Sequence, residues 1–230
     1  MELSSFLQAA RSGNLESVKK LHAEKADLNE TSKNGSTALI YASENGHFNV
    51  VTYLIENGAD PSMQTKMGGT ALNRAAENSH IEIMKFLLDN GTPIGKLALI
   101  VAAREGNLDA VKLLVESGAD LNAQQHWGLT ALMLAAREGH TNIVKYLIDS
   151  GANVRLRDKN GDTALNIAID NDNPDIVMLL RRAGAKAQIK KKVAPVESID
   201  DDEDDDPTPD VDDIMSDDDD ISPDELEMED

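Results

Sequence analysis

The sequence predicts an all-α solenoid of stacked helix–turn–helix units joined by short hairpin fingers. Three observations predict it. A Gly-x-Thr-Ala-Leu phrase recurs in a 33-residue register, at residues 35–39 and 68–72 and again at 128–132 and 161–165. A second phrase, Gly-Ala-Asp or Gly-Ala-Asn, closes the copies at 58–60, 118–120 and 151–153. Each copy also carries two apolar stripes at helical spacing that neither helix can bury alone, and stacking neighbouring copies buries both.

In chain order, a degenerate first copy starts at Phe6-Leu-Gln-Ala-Ala10 and ends at Lys25-Ala-Asp-Leu-Asn29. The second copy sets out the local physics. Thr37 is an N-cap whose hydroxyl accepts from a first-turn N–H. Ala38, Leu39 and Ala42 give a small apolar helix, which Gly46 ends in a left-handed conformation. Val50, Val51, Leu54 and Ile55 form the stripe of a second helix, stopped by Gly58, and Ala59-Asp-Pro-Ser leads into an extended turn. The third copy repeats this pattern, but six residues are missing before the fourth, predicting a tight turn around Thr92-Pro-Ile-Gly95 instead of a finger. Arg74 stands where other copies carry Tyr41, Val101, Leu134 and Ile167; a snorkelling side chain is the simpler expectation, a polar contact lining the gap the other. The fourth and fifth copies share Ala-Ala-Arg-Glu-Gly at 102–106 and 135–139, and a sixth ends at Arg182-Ala-Gly-Ala185.

These residues resemble the ankyrin repeat, whose pattern joins a Thr-Pro-Leu-His start, an Ala-Ala turn into Gly-His, and a Gly-Ala-Asp ending. The resemblance covers roughly residues 2–188. The family's Pro is Ala38, Ala71, Ala131 and Ala164 here, which a helix accepts readily. Its His is Ile40, Asn73, Ile100, Met133 and Asn166, which puts the hydrogen bonds of that His in doubt. The resemblance implies a concave binding surface of finger tips and first helices. The chain is therefore divided into a six-repeat array, 1–188, and an acidic tail, 189–230.

Charge supports the division. The chain carries 22 basic and 42 acidic residues, a net charge of -20. The tail holds twenty acidic and three basic residues, a net of -17, so the array is close to neutral. With no aromatic and no Gly, the tail is expected to be disordered, and its charge to repel nucleic acid and anionic membranes. At 42 residues it spans on the order of 35 Å. Its sparse apolar residues form acidic–hydrophobic docking motifs at 214–217 and 221–226. Ser198, Ser216 and Ser222 are candidate phosphorylation positions, and Lys190-Lys-Lys192 a weak import signal.

Several chemistries drop out. There is no cysteine, hence no disulfide, thiolate nucleophile or Cys-ligated zinc. Gly91-Thr-Pro-Ile-Gly95-Lys96 is one residue short of a phosphate-binding loop, and Leu97 replaces its Ser or Thr. His47, His80 and His140 share one repeat position and so form a row, not a metal cluster. No nucleophile elbow or His-Glu-x-x-His occurs. No catalytic residue, metal or cofactor is expected, and the chain is read as not an enzyme. Its start lacks a signal-peptide pattern and no apolar run spans a bilayer, so an intracellular protein, cytoplasmic or nuclear, without membrane contact is expected.

Binding then falls to the positions that vary between copies. The candidates are Lys33, Lys66, Met67, His126, Trp127, Leu129 and Lys159 on the fingers, with Arg104 and Arg137 extending a partly basic strip from the first helices; the interleaved Glu44, Glu77, Glu105 and Glu138 support instead a solvated mixed-charge face. Trp127, the only tryptophan, is either an exposed anchor or packed on His126 and Leu129. The expected function is a monomeric protein-interaction adaptor. One alternative is an inhibitor or escort of a basic nucleic-acid-binding protein, with the tail mimicking phosphate charge; another is autoinhibition, with the tail folding onto the Arg104/Arg137 strip until a partner displaces it.

Overall fold

A computed structural model of the chain describes residues 3–185 and contains twelve helices there. They run in pairs: α1 (Ser5–Arg11) with α2 (Leu15–Ala23), α3 (Ala38–Glu44) with α4 (Phe48–Glu56), α5 (Ala71–Glu77) with α6 (Ile81–Asp89), α7 (Lys96–Arg104) with α8 (Leu108–Glu116), α9 (Ala131–Arg137) with α10 (Thr141–Asp149), and α11 (Ala164–Asp170) with α12 (Pro174–Arg182). The odd-numbered first helices pack on one another in a row, and each second helix packs on its own partner and on the next second helix. The described residues thus form the repeat solenoid that the periodicity predicts.

Local chemistry explains the elements. The hydroxyls of Thr37, Thr70, Thr130 and Thr163 accept from the N–H of Ile40, Asn73, Met133 and Asn166, each cap contributing about 1 kcal/mol. Ala42, Ala75, Ala102, Ala135 and Ala168 share one register and are fully buried, so successive first helices approach closely. The second helices bury a narrower stripe, such as Val50, Val51 and Leu54 on α4. Between the missing finger's flanks the chain makes only the turn of residues 90–95, and α7 starts two residues before the register of the other first helices.

The recurring histidines lock each copy to the one before. His47 Nε2 donates to the Arg11 carbonyl at 2.9 Å, His80 Nε2 to Glu44 at 3.0 Å, and His140 Nε2 to Arg104 at 2.8 Å. At the two remaining interfaces an amide does the same work: Asn107 Nδ2 donates to the Ala76 and Glu77 carbonyls and Asn173 Nδ2 to Ala136. All five junctions therefore satisfy carbonyls at a helix C-terminus that have no partner within their helix. Where the family's own His is replaced, Asn166 Nδ2 still donates to Asp162 Oδ1 at 3.2 Å, whereas Ile40, Ile100 and Met133 fill the position with apolar side chains.

Among the described residues, three occupy left-handed backbone without being glycine: Lys25, Ser79 and Asp172. Lys25, at φ 72°, stands where Gly58, Gly91, Gly118 and Gly151 end later second helices. A left-handed Lys costs about 1–2 kcal/mol and a glycine returns about half of that to backbone entropy. Lys25→Gly is therefore expected to raise stability by about 0.5–1 kcal/mol in urea unfolding. In the loops after the second helices, Asp60 accepts from the Ser62 hydroxyl and N–H, which holds its carboxyl below the ordinary range.

Candidate partner-binding fingers

Four fingers project from the array. Each is a tight turn closed at its base by Ser32, Thr65, Gln125 or Asp158 donating its N–H to the residue four further on, at 2.8–3.1 Å. A glycine N–H, from Gly35, Gly68, Gly128 or Gly161, returns to the carbonyl three residues back. These glycines sit at positive φ. At Gly128 a Cβ would also stand 3.0 Å from the Cα of Asp158 in the next finger, so glycine is needed there for close approach as well.

Adjacent fingers are joined backbone to backbone. Lys66 N–H donates to the Asn34 carbonyl at 2.8 Å, and Lys159 N–H donates to the Trp127 carbonyl at 2.9 Å. The missing finger interrupts this ladder, leaving two linked pairs of fingers with a slot between them.

The candidate binding residues divide sharply. Lys33, Lys66 and Lys159 are exposed, each at the same position of its finger, and half-buried His126 completes that row. Trp127 is 49% exposed. The His126 ring meets it edge-on at 5.3 Å between centroids, and the Lys159 ammonium lies 5.6 Å from the indole centroid. The aromatic is thus held in place while one side stays open to solvent. Met67 and Leu129 are half-buried and lean on the core.

The first-helix arginines depart from the strip expected of them. Arg104 is only 7% exposed, its Nε 2.9 Å from Glu105 Oε1 and its Nη2 3.6 Å from Glu77 Oε1. Arg74, 6% exposed, places Nη1 3.0 Å from Glu77 Oε2. Glu77 therefore bridges a buried guanidinium of its own repeat to one of the next, beneath the missing finger. Arg74 is a polar contact here, and simple snorkelling does not describe it. Arg137 is half-buried and pairs with Glu138 at 2.9 Å. The arginines neutralise neighbouring carboxylates, so on this edge of the array the accessible positive charge comes from the finger lysines and Lys96.

Among the described residues no cluster of His, Asp or Glu is arranged to hold a metal ion, and no helix is long and apolar enough to cross a membrane. The phosphorylation candidates, the Lys190–192 run and the tail motifs lie outside the described residues.

The family model for ankyrin repeats (3 copies) matches residues 6–98 and again 99–191. A search of curated proteins finds no match. Among solved structures, the chain is similar to one in the predatory endopeptidase Bd0816 of Bdellovibrio bacteriovorus in complex with immunity protein Bd3460. That likeness has 28% identity and a TM-score of 0.69, over 79% of this chain and 99% of that one. It is similar to the human ASB11 ankyrin repeat domain, at 26% identity and TM-score 0.70, over 80% and 85% of the two chains. An ankyrin repeat domain from Acinetobacter baumannii AYE (ABAYE2397) matches at 28% identity and TM-score 0.69, over 79% and 98%. With two family matches covering most of its length and the paired-helix stack they imply, the chain belongs to the ankyrin repeat family.

Proposed function

We propose that this protein is a non-enzymatic adaptor that grips a partner protein with its fingers. Ankyrin repeats are protein-interaction modules, and a chain of similar fold occurs in a complex of an endopeptidase with an immunity protein. The observation that carries the reading is Trp127, half exposed at a finger tip and braced by His126 and Lys159. A pre-positioned aromatic loses little freedom when a partner buries it. The row of Lys33, Lys66 and Lys159 favours a partner presenting carboxylates at this contact, which counts against the basic partner that the tail's charge suggests.

The experiment is a pull-down with the tagged full chain and two charge-reversed variants. Lys66→Glu with Lys159→Glu alters the fingers; Lys85→Glu with Lys145→Glu alters the same number of exposed lysines on the second helices. The finger variant is expected to lose its partners and the helix variant to keep them. Equal recovery by both contradicts the proposal.

A further inference from the structure

The slot left by the missing finger has two walls of defined chemistry. In the repeat register, Met67 matches Asn34 and Trp127, whose carbonyls accept from the next finger. His126 matches Lys66 and Lys159, whose N–H groups donate to the previous one. The Met67 carbonyl and the His126 N–H have no such neighbour, and neither makes a hydrogen bond among the described residues. The outermost fingers also carry single unpaired edges, but only the missing finger leaves an acceptor edge and a donor edge on the two sides of one gap. Unpaired backbone edges of this kind recruit extended polypeptide.

We propose that the slot is a docking site for the chain's own acidic tail, centred on residues 211–215. Three observations select this occupant. First, the slot is bordered by exposed Lys66 and Lys96, and Lys33 and Lys159 lie along the same edge of the array, whereas the tail carries a net charge of -17. Second, Val211, Ile214 and Met215 are apolar residues within that charge, and Trp127 offers an open apolar face beside His126. Third, the reach matches. Ala185 ends the last repeat where a further finger would begin, three finger positions from the slot, roughly 30 Å at the usual spacing of packed helices. Ile214 lies about 30 residues beyond Ala185, and a random-coil chain of that length would span roughly 30 Å, the condition that maximises effective concentration. A carbonyl of the segment accepts from the His126 N–H, Ile214 and Met215 rest on Trp127, and the flanking aspartates face the lysines.

The test is amide hydrogen exchange on the full chain with no partner present, so its outcome is separate from that of the pull-down. At low salt the His126 amide and those of residues 211–215 are expected to exchange at least about tenfold more slowly than unstructured amides. Near 1 M salt, where the Debye length falls to about 3 Å, that protection is expected to disappear. A copy of residues 63–68 inserted between Gly95 and Lys96 rebuilds the finger. It is expected to release residues 211–215 while His126 stays protected by its new neighbour. Ile214→Asp with Met215→Asp leaves the array untouched and is expected to abolish protection at both places. Unprotected amides at low salt, or protection of 211–215 unchanged by the insertion, overturn the proposal. Protection that grows with protein concentration overturns it too, by assigning the slot to a second copy.

Discussion

Glu77→Ala is expected to destabilise the array by about 3 kcal/mol, a large effect for a single residue at the end of a first helix. Glu77 accepts from Arg74 in its own repeat and faces Arg104 of the next. Removing it leaves two guanidinium groups buried with less compensating charge, and that uncompensated charge dominates the loss. The bridge spans the junction between the third and fourth repeats, which has no finger to reinforce it. Its removal should therefore also weaken coupling between the two halves of the stack and lower the m-value of urea unfolding. Replacing Arg74 by Leu, the residue at the matching position of the fifth repeat, is expected to recover at least half of the loss in the Glu77→Ala background. A midpoint within experimental error of the parent chain would show that the bridge contributes nothing.

The second large effect is on binding. Trp127→Ala is expected to weaken the partner complex by about 2 kcal/mol or more, close to 30-fold in Kd. Stability is expected to change by less than about 0.5 kcal/mol, because the indole is half exposed and covers little of the core. Calorimetric titration of the recovered partner against both chains measures the first; urea unfolding measures the second. Lost affinity together with lost stability would instead make Trp127 a packing residue.

Much of this arrangement was legible in the sequence. Thr-Ala-Leu at a fixed period carries both the N-cap and the first-helix core, so the helices followed from it directly. His47, His80 and His140 showed by their shared register that their role is structural. That Asn107 and Asn173 complete the same set was not read, although both stand at the His position of their copies, after Gly106 and after Asp172. For Arg74 and Arg104 the sequence left two readings open for a physical reason: a charge on a helix end can be solvated or paired, and its counter-charge is not marked by adjacency alone. Here the counter-charge, Glu77, lies on a neighbouring repeat as well as three residues away. The bonds between fingers join backbone atoms and leave no trace in residue identity. Only the six-residue gap after Gly95 pointed to an interruption, and the facing Met67 and His126 groups emerge once the neighbouring fingers are seen to be hydrogen-bonded.

The account rests on the fingers being the gripping surface of a linear stack. Lysine-reactive cross-linking of the full chain in complex with its partner tests this most directly, because lysines mark both sides of the array. Cross-links through Lys33, Lys66, Lys96 and Lys159 are the predicted result, with Lys19, Lys85, Lys112 and Lys145 on the second helices silent. Cross-links concentrated on the second helices, with the finger lysines unmodified by the partner, would contradict it.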